Sequence, residues 1–214
     1  MLVSGIDRVA QRVPIWTRPR IMNLPNRLTV ARFFLTLCFV ASLSFEWRYG
    51  HTVALVLFLL GSLTDYADGY IARRYGLVTD FGKLMDPLVD KIMIAGAFIC
   101  LVSPPSRAIP AWAVVIIISR EFLITGLRLL AAAKGTILPA EALGKHKTGW
   151  QIATVIFFLC ILAAHEFNSL GLNPSLLDEA QSRLGTPFIG IALGLTLYSG
   201  IGYLWKNREL IKTQ

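Results

Sequence analysis

The sequence is poor in charge. Asp, Glu, Lys and Arg make up 16% of its 214 residues, against roughly 25% in a soluble domain. It has three histidines and three cysteines. Cys38, Cys100 and Cys160 each stand alone in an apolar run, so no spacing supports a zinc site or a disulfide framework. The first 20 residues lack the continuous apolar core of a signal peptide and carry Arg8, Arg12, Arg18 and Arg20 instead. What fills the chain is apolar: 55% of residues are hydrophobic and mean hydropathy is +0.59. One membrane domain is the expectation. The net charge of +8 points to anionic lipid headgroups rather than nucleic acid, because the bases gather at the ends of apolar segments.

The predicted fold class is all-α: a polytopic membrane protein of six transmembrane helices, with a domain over 23–206. Spans are expected near 28–45, 52–74, 81–102, 109–132, 149–164 and 187–205, each close to the ~20 residues that a bilayer core requires. Leu2, Ile6, Val9 and Val13 recur at helical spacing, so 1–22 reads as either an interfacial helix or a basic tail. Asn26 and Thr29 precede the first span as candidate helix caps. Lys and Arg gather on one side, in the N-terminus, from Arg73 to Lys83, over 134–147 and in Lys206, Arg208 and Lys212. The other side holds Arg48, Arg107 and Arg183. The positive-inside rule then puts both ends in the cytoplasm, with 207–214 as a tail. The far-side loop 165–186 shows no chemical motif, and His51 and His165 there are expected to be interfacial.

One stretch interrupts the apolar pattern. Asp65, Asp68, Asp86 and Asp90 stand in otherwise apolar sequence. On helices, Asp65, Asp68, Gly69 and Ala72 share a face, and Asp86 and Asp90 are one turn apart, with Gly82 one turn before them. Two antiparallel helices would aim the four carboxylates at one point. Such crowding is repulsive and costly to desolvate, and a divalent cation resolves it. An all-oxygen ligand set favours a hard ion, Mg²⁺ or Mn²⁺. Gly69, Ala72 and Gly82 leave room for a bulky ligand, and Arg73 suits phosphate. The competing reading is a pair of polar helices held by ion pairs, but only three bases, Arg73, Arg74 and Lys83, lie between the acids.

A second set is basic. The fourth span contains Ser119-Arg120-Glu121 and, further on, Thr125 and Arg128. Intramembrane ionisable residues are functional candidates by default. Glu121, Thr125 and Arg128 fall nearly in line on a helix, so Glu121 is expected to orient Arg128, or else to clamp two helices. Lys145 and Lys147 flank His146 beside Gly144, a pattern that suits an anion or ordinary positive-inside charge.

The pattern D-x-x-D-G-x-x-A-R, eight residues, then G-x-x-x-D-x-x-x-D resembles the signature of the CDP-alcohol phosphotransferase family, with Asp65, Asp68, Gly69, Ala72, Arg73, Gly82, Asp86 and Asp90 at its fixed positions. N-L-P-N-R-L-T-x-x-R, D-P-L-x-D-K, S-R-E-F-L-I-T-G-L-R and G-K-x-K-T extend the likeness from Asn23 to about Thr148. They resemble one branch, which converts CDP-diacylglycerol and glycerol 3-phosphate into phosphatidylglycerol phosphate and CMP. The resemblance implies two divalent ions. Asp65, Asp68 and Asp86 would hold the first, while Asp90 joins the second and acts as general base. It implies a CDP-diacylglycerol set of Gly69, Ala72, Arg73, Thr79, Gly82, Asn26 and Thr29. For the acceptor phosphate it implies Arg128 and Lys145, helped by Arg120 and Lys147. It also implies a homodimer in a bacterial inner membrane with a cytoplasmic active site. Rival acceptors are inositol phosphate, phosphatidylglycerol, serine or an amino alcohol. A cation transporter is the reading from another class, against which no charged relay continues through spans five and six.

Overall fold

A computed structural model describes residues 24–45, 47–75, 80–103, 108–133, 135, 142–167 and 173–208, excluding the side chains of 24–26, 66–75, 80–84, 86, 87, 133 and 142–145. Among these residues it is all-helical, with six helices: α1 (Leu24–Ser44), α2 (Gly50–Tyr75), α3 (Asp80–Val102), α4 (Ala111–Ala133), α5 (Ala142–Glu166) and α6 (Pro174–Lys206). Each expected span overlaps one of them, with 28–45 running one residue past the end of α1 and 109–132 starting two residues before α4. By length and composition, Arg27–Ser44, His146–Glu166 and Pro174–Lys206 suffice to cross a membrane, and Gly50–Asp65 is a shorter apolar stretch. α4 is apolar apart from three charged residues, Arg120, Glu121 and Arg128.

The core is a seam through the bundle. Phe39 of α1, Phe58 of α2, Phe98 and Leu101 of α3, Ile117 of α4, and Phe158 and Leu159 of α5 are all buried in it. The rings of Phe39 and Phe58 lie 5.6 Å apart. The outward faces are apolar too: Phe34, Val115, Phe122, Leu129, Tyr198 and Ile201 are exposed. Apolar surface on both sides fits a lipid environment, where close packing rather than water exclusion drives helix association. Gly61 is an example of such packing. A Cβ there would meet Met93 Sδ at 2.7 Å, so its absence lets α2 and α3 close up just beyond the acids.

Two boundaries differ from expectation. α1 begins at Leu24, so Asn26 and Thr29 lie within the helix rather than before it. Most of 165–186 is not loop. Asn173 Oδ1 accepts from Ser175 N and Ser175 Oγ, Pro174 occupies the first turn, and α6 then continues through Pro187. Its 33 residues span roughly 50 Å at about 1.5 Å each, longer than the ~30 Å bilayer core. The excess is the polar start, where Glu179 and Arg183 pair at 2.7 Å.

At that same end Glu166 closes α2. Its carboxylate accepts from the backbone N–H groups of His51 (2.7 Å) and Thr52 (3.0 Å) and from Thr52 Oγ1 (2.6 Å), with His51 Nδ1 at 2.8 Å. Those N–H groups have no partner within their own helix, and a carboxylate suits the positive end of a helix dipole. His165 Nε2 lies 3.4 Å from Asp178. Both histidines therefore have acidic partners, beyond the interfacial placement expected of them. Glu166→Gln keeps one acceptor oxygen and should cost about 1–3 kcal/mol. The expected result is a melting temperature several degrees lower in detergent, and an unchanged melting temperature would remove this capping role.

Candidate active site

The site lies at the end of the bundle formed by the starts of α1, α3 and α5 and the ends of α2, α4 and α6. Its acidic half is held by an arginine that the sequence reading assigned no role. Arg32, with no exposed surface, brings Nη1 to 2.8 Å from Asp90 Oδ1 and 3.0 Å from Asp65 Oδ1. The carboxylates remain open, with side chains 47% exposed at Asp65 and 35% at Asp90. Two carboxylates from different helices thus converge as expected, around a single cationic nitrogen. Oxygen donors that already converge on one cation fit a hard divalent ion. Among the described residues no group of three or more metal-ligating side chains forms. The side chains of Asp68 and Asp86 fall outside the description, as do those of Gly69, Ala72, Arg73, Gly82, Asn26 and Lys145, and all of Thr79. Thr29 is buried in α1.

The basic half begins one residue later. Lys91 Nζ donates to Thr125 Oγ1 of α4, and Thr125 Oγ1 donates to the Glu121 carbonyl at 2.8 Å. Glu121 Oε1 accepts from Lys147 Nζ of α5 and from Arg120 Nη1 at 3.4 Å. Glu121, Arg128, Arg120 and Asp90 all act electrostatically on Lys91. Lys147 and Arg120 thus pair with Glu121, and with Lys91 and Arg128 the described cations here outnumber the carboxylates Glu121 and Asp90, a surplus of positive charge that suits an anion. Glu121 does not orient Arg128 as expected. Arg128 turns instead to α6, where its Nε donates to Tyr203 Oη at 3.1 Å and its guanidinium lies 5.3 Å from the ring centre. Arg120 Nη2 donates to Ser199 Oγ at 3.1 Å. Its stem crosses α6 at Gly200, where a Cβ would meet Cγ at 3.0 Å.

Lys91, Ser199 and Tyr203 were not anticipated. Lys91 closes the D-P-L-x-D-K run and was legible there. Ser199 and Tyr203 sit in a plain apolar helix, and only the fold brings them to the arginines. A separate cavity of about 440 Å³, lined by Trp112, Phe158, Asp178, Gln181 and Ile189 among others, opens at the far end of α4 and α6, away from both clusters.

An acidic pair and a set of cations thus lie side by side at one end of an apolar helical bundle. The family model of CDP-alcohol phosphatidyltransferases matches residues 22–197. A CDP-diacylglycerol–glycerol-3-phosphate 3-phosphatidyltransferase of Bacillus subtilis is 38% identical, covering 89% of this chain and 98% of its own. One of the same name from Rickettsia bellii is 36% identical over 85% and 93%. A CMP-forming cardiolipin synthase of Oryza sativa is 30% identical over 88% of this chain and 58% of its own. The chain belongs to the CDP-alcohol phosphatidyltransferase family.

Lys147 is buried, with 4% of its side chain exposed, and Glu121 is its carboxylate partner. Glu121→Leu strands that charge and should destabilise the protein by about 3–5 kcal/mol, whereas adding Lys147→Met should recover most of the loss. Thermal unfolding of both single variants and the double variant in detergent measures the coupling. An additive double variant would mean the pair is not a unit.

Proposed function

We propose that this protein transfers the phosphatidyl group of CDP-diacylglycerol to glycerol 3-phosphate, giving phosphatidylglycerol phosphate and CMP. The observation that carries the reading is the junction on α3, where Asp90 faces the acidic half and Lys91 the cationic half. The bacterial relatives, each named for this reaction, support it. So does the surplus positive charge around Glu121, which suits an acceptor that itself bears phosphate. The relative named as a cardiolipin synthase favours phosphatidylglycerol as the second acceptor to test.

The primary hydroxyl of glycerol 3-phosphate attacks the β-phosphorus of CDP-diacylglycerol. Asp90 takes the hydroxyl proton, a new phosphorus–oxygen bond forms, and the bond to CMP breaks. A general base must lie within hydrogen-bond reach of that hydroxyl, and the open side of Asp90 allows it. Asp65, Asp68, Asp86 and Asp90 would hold two divalent ions, Mg²⁺ or Mn²⁺, which neutralise the diphosphate and the charge developing on the leaving group. Gly69, Ala72 and Gly82 give the nucleotide room beside Arg73 and Thr79, and Asn26 and Thr29 of α1 complete the CDP-diacylglycerol set. Arg120, Arg128, Lys145 and Lys147 hold the acceptor phosphate. All six helices cross the bilayer, with both ends and the site on the cytoplasmic face of a bacterial inner membrane. The positive-inside pattern supports that orientation, and the family resemblance supports a homodimer.

Initial CMP release in detergent tests the reading. Activity should vanish in excess chelator and return with Mg²⁺ or Mn²⁺, and full turnover in chelator would remove the metal assignment. Arg128→Ala and Lys147→Ala should chiefly raise the KM for glycerol 3-phosphate. Each lost charge-assisted contact is worth roughly 1.5–3 kcal/mol, or about tenfold to a hundredfold. Glycerol, which offers these cations no phosphate, should be a poor acceptor. Glycerol working as well as glycerol 3-phosphate would overturn the phosphate clamp. Faster turnover with inositol phosphate or phosphatidylglycerol would keep the family and change the product.

A further inference from the structure

Arg32 is a cation that neither the acceptor site nor the proposed proton transfer uses. We propose that it is a positioning residue that also sets how tightly the acidic site grips a divalent cation. It holds Asp65 and Asp90 from the protein side, and its charge weakens their hold on the ion. The inference rests on the reading of the Asp cluster as a divalent-metal site.

The geometry separates an inner from an outer side. Arg32 is fully buried, while both carboxylates keep exposed surface. Arg32 therefore approaches from within the bundle and leaves the open side to ligands. One nitrogen, Nη1, contacts Oδ1 of both acids, so a single cationic group fixes the two carboxylates relative to each other. Arg32 also ties α1 to α2 and α3, and its own carbonyl accepts from Thr36 Oγ1 at 2.9 Å. Partners of this kind fix the orientation of metal-binding groups, and losing one costs about 10–100-fold in affinity or activity.

Charge acts in the opposite direction. A full positive charge at ion-pair distance from both carboxylates repels an incoming cation. At an effective dielectric of about 20, the repulsion between a divalent ion and a unit charge roughly 5 Å away exceeds the cost of a hundredfold loss of orientation. Neutralising Arg32 should therefore tighten metal binding even as it disorders the carboxylates. A purely structural arginine predicts the reverse, because a loosened site binds metal more weakly.

The test uses the full chain in detergent. Mn²⁺ affinity is read from the electron paramagnetic resonance of free Mn²⁺ and from the melting shift on adding Mn²⁺ to chelator-stripped protein. Kinetics follow at saturating Mn²⁺. Arg32→Gln should bind Mn²⁺ about tenfold or more tightly, with kcat about tenfold to a hundredfold lower and KM for glycerol 3-phosphate near the unmutated value. Arg32→Lys keeps the charge but not the planar fork. Its Mn²⁺ affinity should stay within about threefold of the unmutated protein, with kcat lowered about fivefold or more. Equal or weaker Mn²⁺ binding by Arg32→Gln overturns the inference. So does Arg32→Lys with unchanged kcat, or with an affinity shifted tenfold, and that variant decides the matter if Arg32→Gln does not fold. An unmutated protein that binds no Mn²⁺ removes the metal reading itself, and the inference with it.

Discussion

A guanidinium with no exposed surface lies between two carboxylates contributed by different helices, and the end of the bundle that carries the chemistry depends on this contact. Asp65 and Asp90 cannot stay close without a cation between or beside them, because like charges in a poorly solvated site repel strongly. Arg32 supplies that cation from α1. It thereby fixes the starts of α1 and α3 against the end of α2. Without it, and with no other cation in its place, the two aspartates would separate or take up protons.

The same rule organises the neighbouring site with the signs reversed. Lys147 is buried, Arg120 and Lys91 are half-buried, and Glu121 is the carboxylate at their centre. Breaking a buried pair leaves a charge whose desolvation nothing offsets, so such pairs hold helices in one relative placement. In water the ends of these helices could slide. In an apolar bundle each displaced charge would be stranded among groups that cannot solvate it. Among the described residues each site carries an internal counter-charge, Arg32 in one and Glu121 in the other. In each case it leaves the cluster short of neutrality, with carboxylates open on the acidic side and surplus cations on the basic side.

Much of this was legible in the sequence. Asp65 and Asp90 stand out because carboxylates in apolar runs are costly, and helical spacing already put each on a face with a second acid. Arg120, Arg128 and Lys147 were legible for the same reason. Their partners were not. Glu121 lies in line with Arg128 along α4, so a reading within one helix pairs them. The fold instead offers Lys147 from α5 and Tyr203 from α6, and a contact between helices wins when it satisfies a more deeply buried group. Arg32 was visible as an arginine in an apolar run, but its partners are 33 and 58 residues away. The start of α6 was missed for another reason. Asn173-Pro174 is a recognisable helix opening, but Asp178, Glu179 and Arg183 lower the hydropathy there, and a search for spans passes over a helix that projects beyond the bilayer.

The two sites meet through consecutive residues of one helix. Asp90 and Lys91 differ by about 100° around α3 and about 1.5 Å along it, so they look into adjacent compartments from a single turn. In the proposed reaction the base and the nearest cation of the acceptor site are thus set by local helix geometry, which changes of tilt or packing barely alter. The other contributors, α1 with Arg32 and α4 with Arg120 and Arg128, dock against α3 from different sides. Each compartment can then be shaped by its own helices, one for the nucleotide diphosphate and one for the phosphorylated alcohol, while the distance between the reacting groups stays fixed. Both substrates must meet at one phosphorus atom while the lipid chains remain in the bilayer. A fixed junction on a central helix, walled by helices free to differ, meets that requirement without any part of the site leaving the membrane.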